Sequence, residues 1–236
     1  MSDVLGDLIN LDLMARYGPR FLDGVLVTLQ LVAISFILGG LIAVPVALAR
    51  LSKSRLLRAL AYCYVYFFRG TPLLAQVFLV YYGAGQLRDA FEAVGLWALF
   101  RDAWFCALLT FTLNTAAYQA EILRGGIQAV PGGQSEAAFA LGLPRWLAFV
   151  RVVLPQALVT ALRPLGNELI LMIKASAIVS LITIYDVMGV TRLAFARSFD
   201  FQVYLWAAAL YLILVEGVRR LWVVAERRLT RHLKPA

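Results

Sequence analysis

From Val25 to Ala49 the chain runs without a single charged residue. A helix of about 20 such residues crosses a hydrocarbon core of about 30 Å. Four further stretches read the same way, so spans are expected at roughly 24–49, 59–82, 103–121, 156–185 and 203–225. The runs are continuously apolar instead of alternating, which argues against the strands of a membrane β-barrel. The fold class expected is an all-α membrane protein of about five transmembrane helices, with residues 1–236 forming one domain.

The pattern breaks between the third and fourth spans. Residues 136–155 read EAAFALGLPRWLAFVRVVLP, a half-polar stretch inside a lipid-like chain. Ser135 suits a helix N-cap, and Glu136 sits where the helix dipole favours an anion. Gly142 fits the position after the helix, and Pro144 blocks its continuation. A short helix over about 135–142 follows, with Ala137, Ala138 and Leu141 on one narrow apolar face. Two turns are not stable alone in water. Such a helix persists only against its own protein or in a partner's groove.

Composition agrees with a membrane location: 62% of residues are hydrophobic, 15% are charged, and the mean hydropathy is +0.79. A soluble domain is about half apolar and about a quarter charged. The net charge of +8 is spread in a way that sets orientation. Residues 1–23 hold two Arg against four Asp, and the loop 83–102 holds two Arg against three acids. The loop 50–58 carries Arg50, Lys53, Arg55 and Arg58 with no acid, and the tail from Glu216 carries five Arg and one Lys against two Glu. The N-terminus is therefore expected outside, with the loops at 50–58 and 122–155 and the C-terminus in the cytoplasm. No signal peptide is expected, because Asp3, Asp7 and Asp12 replace a basic start and short apolar core.

Cys63 and Cys106 lie in apolar runs and read as packing residues. The only histidine, His232, sits in the tail. No histidine-based metal site or catalytic base is available in the spans, which makes an intramembrane enzyme a poor reading. No G-x-x-x-x-G-K-[ST] motif is present, so energy for any transport comes from elsewhere. No internal repeat is visible, and an odd number of spans does not divide into inverted halves, unlike most secondary transporters.

Charges inside spans are costly and mark pathways or binding sites. Arg69 lies eleven residues beyond Arg58, roughly 16 Å into the span by helical rise. Asn114 and Lys174 fall at a comparable depth by the same count. Gly70 loosens the helix at Arg69, and Thr71 followed by Pro72 suits a new helix start, so the second span is expected to break there. The positive end of the new half-helix beside Arg69 would suit a carboxylate. Glu168 would suit a cation. Arg69, Thr71, Asn114, Glu168 and Lys174 are the candidate cargo-binding residues, the competing reading being an internal ion pair of Glu168 with Arg163 or Lys174. Gly39 and Gly40 read as close helix packing, and Glu121 with Arg124 as a helical pair.

The motif EAA, three residues, Gly142, nine residues, then VVLP resembles the EAA signature of ABC-importer permeases, with Val152 where isoleucine is usual. FFRGTPLLAQVFLVYYG at 67–83, AAYQAEILRGGIQAVPGGQSEAA at 116–138 and LITIYDVMGVTR at 181–192 resemble the polar-amino-acid branch, which includes histidine, arginine, glutamine and opine permeases. The resemblance runs from Leu26 onward. It implies that the short helix is a coupling helix, with Glu136, Ala137, Ala138, Leu141, Gly142 and Pro155 serving attachment to an ATPase. It implies two ATPase subunits that bind ATP and Mg, this chain needing no cofactor of its own. A second permease copy or paralogue and an extracytoplasmic substrate-binding protein are the other implied partners, in a bacterial inner membrane. No nucleic acid is implied. The expected function is import of polar amino acids, basic ones included; a permease for another solute such as an opine, and a nucleotide-independent channel, remain as alternatives.

Overall fold

The computed structural model describes residues 10–231, so Asp3, Asp7, His232 and Lys234 lie outside the described residues. Every regular element among those residues is helical, as the continuous apolar runs require. In chain order they are α1 (Leu11–Leu51), α2 (Arg55–Gly70), α3 (Leu73–Gln86), α4 (Arg88–Ala93), α5 (Trp97–Phe100), α6 (Ala103–Ala129), α7 (Gly132–Ala140), α8 (Arg145–Ala148), a π turn (Phe149–Val153), α9 (Leu154–Ala175), a 3-10 segment (Ser176–Ile182), α10 (Val187–Ser198) and α11 (Gln202–Leu229).

By length and composition, Asp12–Leu51 and Arg145–Ile182 can each cross a membrane, and α2 with α3 add a third crossing if taken as one broken span. The helix α6, of 27 residues, and α11, of 28, are also longer than the about 20 residues a crossing needs. Several helices run past the apolar stretches. The first begins at Leu11 and includes Asp12, Arg16, Arg20 and Asp23. Hydropathy reports the lipid-facing part of a helix, whereas backbone hydrogen bonding carries it on into polar sequence.

The chain divides into two compact units. One comprises residues 1–35, 73–111 and 170–218, and the other 36–72, 112–169 and 219–236. In the first, Tyr17, Phe21, Val187, Val190, Ala194, Val203 and Ala207 form a buried core. Asp186 caps α10 by accepting from the Gly189 N–H at 2.8 Å, and the Tyr211 hydroxyl donates to its other oxygen at 3.0 Å. That side chain is wholly buried, and its two donors account for why a carboxylate is tolerated there.

The second unit packs through small residues. Ala43, Ala47 and Ala120 form its core, and a Cβ on Gly39 would strike Thr115 and lie 3.2 Å from the Thr112 carbonyl. Close packing at Gly39 is thus as expected. A Cβ on Gly166 would strike the ring of Trp222, whose indole N–H donates to the Leu162 carbonyl at 3.0 Å. The π turn immediately precedes Leu154–Pro155; Pro155 has no N–H to continue the ordinary helical register there.

Candidate coupling and cargo sites

The expected short helix exists as α7, but its start differs. It begins at Gly132 after Pro131, so Ser135 is an interior residue and not the N-cap. Two glycines at the start weigh against helix by about 1 kcal/mol each. Packing of the turns that follow overrides this, with Ala138 buried at 3% exposure and Ala148 at 1%. The C-terminal end is as the sequence implies. Gly142 adopts φ +78°, its N–H donates to the Phe139 carbonyl at 2.9 Å, and the Leu143 N–H reaches back to Ala138 at 3.1 Å. Those two bonds close the carbonyls that a helix end leaves open.

The apolar face splits in two. Ala138 turns into its own unit, while Ala137 and Glu136 are exposed. Leu141 at 82%, Trp146 at 67% and Phe139 at 46% also stand out from the surface. The side chains available to a partner are therefore Leu141, Phe139 and Trp146, of which Phe139 and Trp146 did not stand out in the sequence. Pro155 is exposed one residue into α9.

The break at the second span is present. Helix α2 ends at Gly70 and α3 starts at Leu73, with Thr71 extended at φ −113°, ψ 148°. Thr71 closes the end of α2: its N–H and hydroxyl both donate to the Phe67 carbonyl, at 3.1 and 2.8 Å. The Asn114 amide donates to the next carbonyl, that of Phe68, at 3.1 Å. Two of the candidate cargo residues thus also hold the broken helix end together.

Arg69 meets a charged cluster at Glu121. Its guanidinium lies 4.0 Å from Glu121, whose carboxylate also meets Arg50 at 2.9 Å and Arg124 at 2.7 Å. Arg50 ends the apolar run of α1, so the charge of Arg69 shares that level. The helical rise locates a Cα, but a long side chain carries its charge several ångströms along the helix. The sequence had paired Glu121 with Arg124 alone; Arg50 and Arg69, distant in the chain, join it only in the fold.

Glu168 is 7% exposed on α9 and accepts from the Thr115 hydroxyl at 3.2 Å. Gln119 donates to that same hydroxyl oxygen at 3.1 Å and to the Phe36 carbonyl at 3.0 Å, extending the network to α1. None of the ion pairs among the described residues includes Glu168, and Arg163 pairs with Glu226 at 2.7 Å instead. An ionised carboxylate has about four acceptor positions, and a single hydroxyl leaves most of them for a ligand. Lys174 is exposed and belongs to the other unit. Thr115 and Gln119 were missed because a threonine and a glutamine in an apolar helix carry no signal without knowing what they face. Among the described residues no group of histidine, cysteine and acidic side chains could hold a metal.

Comparison with known proteins matches residues 35–230 to the family described as binding-protein-dependent transport system inner membrane component. The chain is 45% identical over 227 residues to a nopaline transport system permease protein of Agrobacterium fabrum, covering 96% of this chain and 94% of that one. It is 36% identical over 220 residues to a histidine/lysine/arginine/ornithine transport system permease protein of Escherichia coli K12, covering 93% and 92%. Among solved structures, an amino acid ABC transporter crystallised with histidines superposes with a TM-score of 0.83 at 34% identity, over 93% of this chain and 99% of that one. The inward-facing MetNI methionine ABC transporter, at 20% identity and a TM-score of 0.73 over 89% and 96%, shares the fold. The chain belongs to the binding-protein-dependent transport system inner membrane components, the permeases of ABC importers.

Proposed function

We propose that the chain carries polar amino acids, basic ones included, across the inner membrane, driven by a separate ATPase that docks on α7. Opines are the alternative cargo. The ATPase binds ATP and Mg, two copies act on a pair of permeases, and an extracytoplasmic binding protein delivers the cargo. The exposed Phe139 and Leu141 at the end of α7, with Trp146 on α8, carry this reading. Large apolar side chains exposed on two short successive helices suit the groove of a partner and have no use in water. The Schellman end at Gly142 fixes the angle at which they are presented.

Glu168 supports a basic cargo: a buried carboxylate with one hydroxyl donor favours a cation that brings its own hydrogen bonds. Thr71 and Asn114 would face the cargo from the helix break. The Arg69 guanidinium lies 4.0 Å from Glu121, and its charge also acts on Glu168.

Uptake into proteoliposomes holding the permease, its ATPase and its binding protein should require ATP. Leu141→Asp should stop uptake and release the ATPase while leaving the melting temperature of the permease unchanged. Flux that continues without nucleotide, or that survives Leu141→Asp at the normal rate, would favour a channel.

A further inference from the structure

Arg50 and Arg69 flank a cavity of about 380 Å³ that is also lined by Tyr62, Tyr66, Tyr118 and Glu121. Each guanidinium is steadied on an aromatic face, Arg50 over Tyr62 at 4.9 Å and Arg69 over Tyr118 at 5.2 Å. Glu121 is the one acid of the lining, and both of its oxygens are occupied by Arg124 and Arg50 at 3.1 Å or less. With Arg124, three arginines meet one carboxylate, which leaves two positive charges in excess. Arg69 keeps 44% of its side chain exposed, with only the 4.0 Å contact to Glu121 as an ion pair.

The chemistry suits an oxyanion, because a planar guanidinium presents several donors in a fixed fork. A zwitterionic amino acid fits poorly: within the lining its ammonium would meet only Glu121, a carboxylate already engaged. The rim favours an anion that carries its own apolar body. Tyr62 and Tyr66 stack at 5.8 Å and stand 50% and 68% exposed, and Phe67 beside them is 45% exposed. Stacked tyrosines next to arginines, at the end of an apolar helix run, are what a headgroup region contacts.

We propose that the Arg50–Arg69 cavity binds the phosphate of an anionic phospholipid headgroup. The assignment rests on the reading above that puts residues 50–58 on the cytoplasmic side. The full chain is taken from nanodiscs of equal parts phosphatidylcholine and phosphatidylglycerol, and retained lipid is read by native mass spectrometry. Wild type should keep phosphatidylglycerol over phosphatidylcholine. Arg69→Gln should cut that preference about fivefold, the effect of one basic side chain near a headgroup, and Lys53→Gln on the neighbouring loop should leave it. Arg69→Gln should fold, since Glu121 keeps Arg50 and Arg124. On unaltered protein, phosphatidylglycerol should shield Arg69 from phenylglyoxal, and phosphatidylcholine should not. Equal retention of both lipids, equal loss in the two variants, or an unshielded Arg69 overturns the proposal. Displacement of the lipid by arginine or glutamine would make the cavity a cargo station, and saturable binding of inorganic phosphate without lipid preference would make it a free-phosphate site. Either result overturns the lipid assignment. ATP-driven uptake is measured separately, so a failed permease reading is distinguishable from a failed lipid site.

Discussion

Glu121 is the acid on which three arginines from three helices converge, within 2.7 to 4.0 Å. Removing it leaves Arg50 and Arg124, at 16% and 27% exposure, without their anion. Breaking a largely buried charge network from one side costs about 3 kcal/mol. Glu121→Ala should therefore lower thermal stability in detergent by that order, whereas Arg69→Gln should lower it far less. Equal effects would mean that Arg69 is as tightly held as its two neighbours. The sequence offered Glu121 and Arg124 as a helical pair three residues apart, which the structure retains. It gave no means of seeing Arg50, which is separated from Glu121 by 71 positions.

At the scale of elements, α7 shows how far local signals reach. Its end was legible because only glycine takes φ +78° cheaply and Pro144 follows at once. Its start was not, because Pro131, Gly132 and Gly133 look like loop, whereas the helix begins at Gly132 directly after Pro131. Gly142→Ala should cost about 1 kcal/mol from the left-handed backbone alone. The same change should weaken ATPase attachment, measured as co-purification, more than Leu143→Ile, which keeps the turn. Unchanged attachment would show that the angle of α7 is not set by Gly142. The broken second span was also legible, from Gly70, Thr71 and Pro72 in sequence. What closes the break, the Asn114 amide on the Phe68 carbonyl, lies 46 residues away and was not.

At the scale of the molecule, the proposed cargo preference rests on Glu168, a carboxylate whose hydrogen-bond network joins three helices. Glu168→Gln keeps the shape and the Thr115 hydroxyl contact but removes the charge. It should reduce kcat/KM for arginine or lysine roughly a hundredfold, about 3 kcal/mol, with little change for glutamine. An unaltered ratio of basic to neutral uptake would remove Glu168 from the cargo path. The sequence by itself determined the helical class, the apolar runs, the break at Thr71–Pro72 and the glycine-ended helix α7. Each is written in neighbouring residues, through hydropathy, proline geometry or the absence of a Cβ. Only the tertiary structure decided that Glu168 meets Thr115 and not Arg163, that Ala138 is buried while Leu141 stands out, and that Arg69 turns to Glu121. These outcomes depend on side chains that folding brings together from distant parts of the chain, and hydropathy and spacing along the chain carry no record of such meetings.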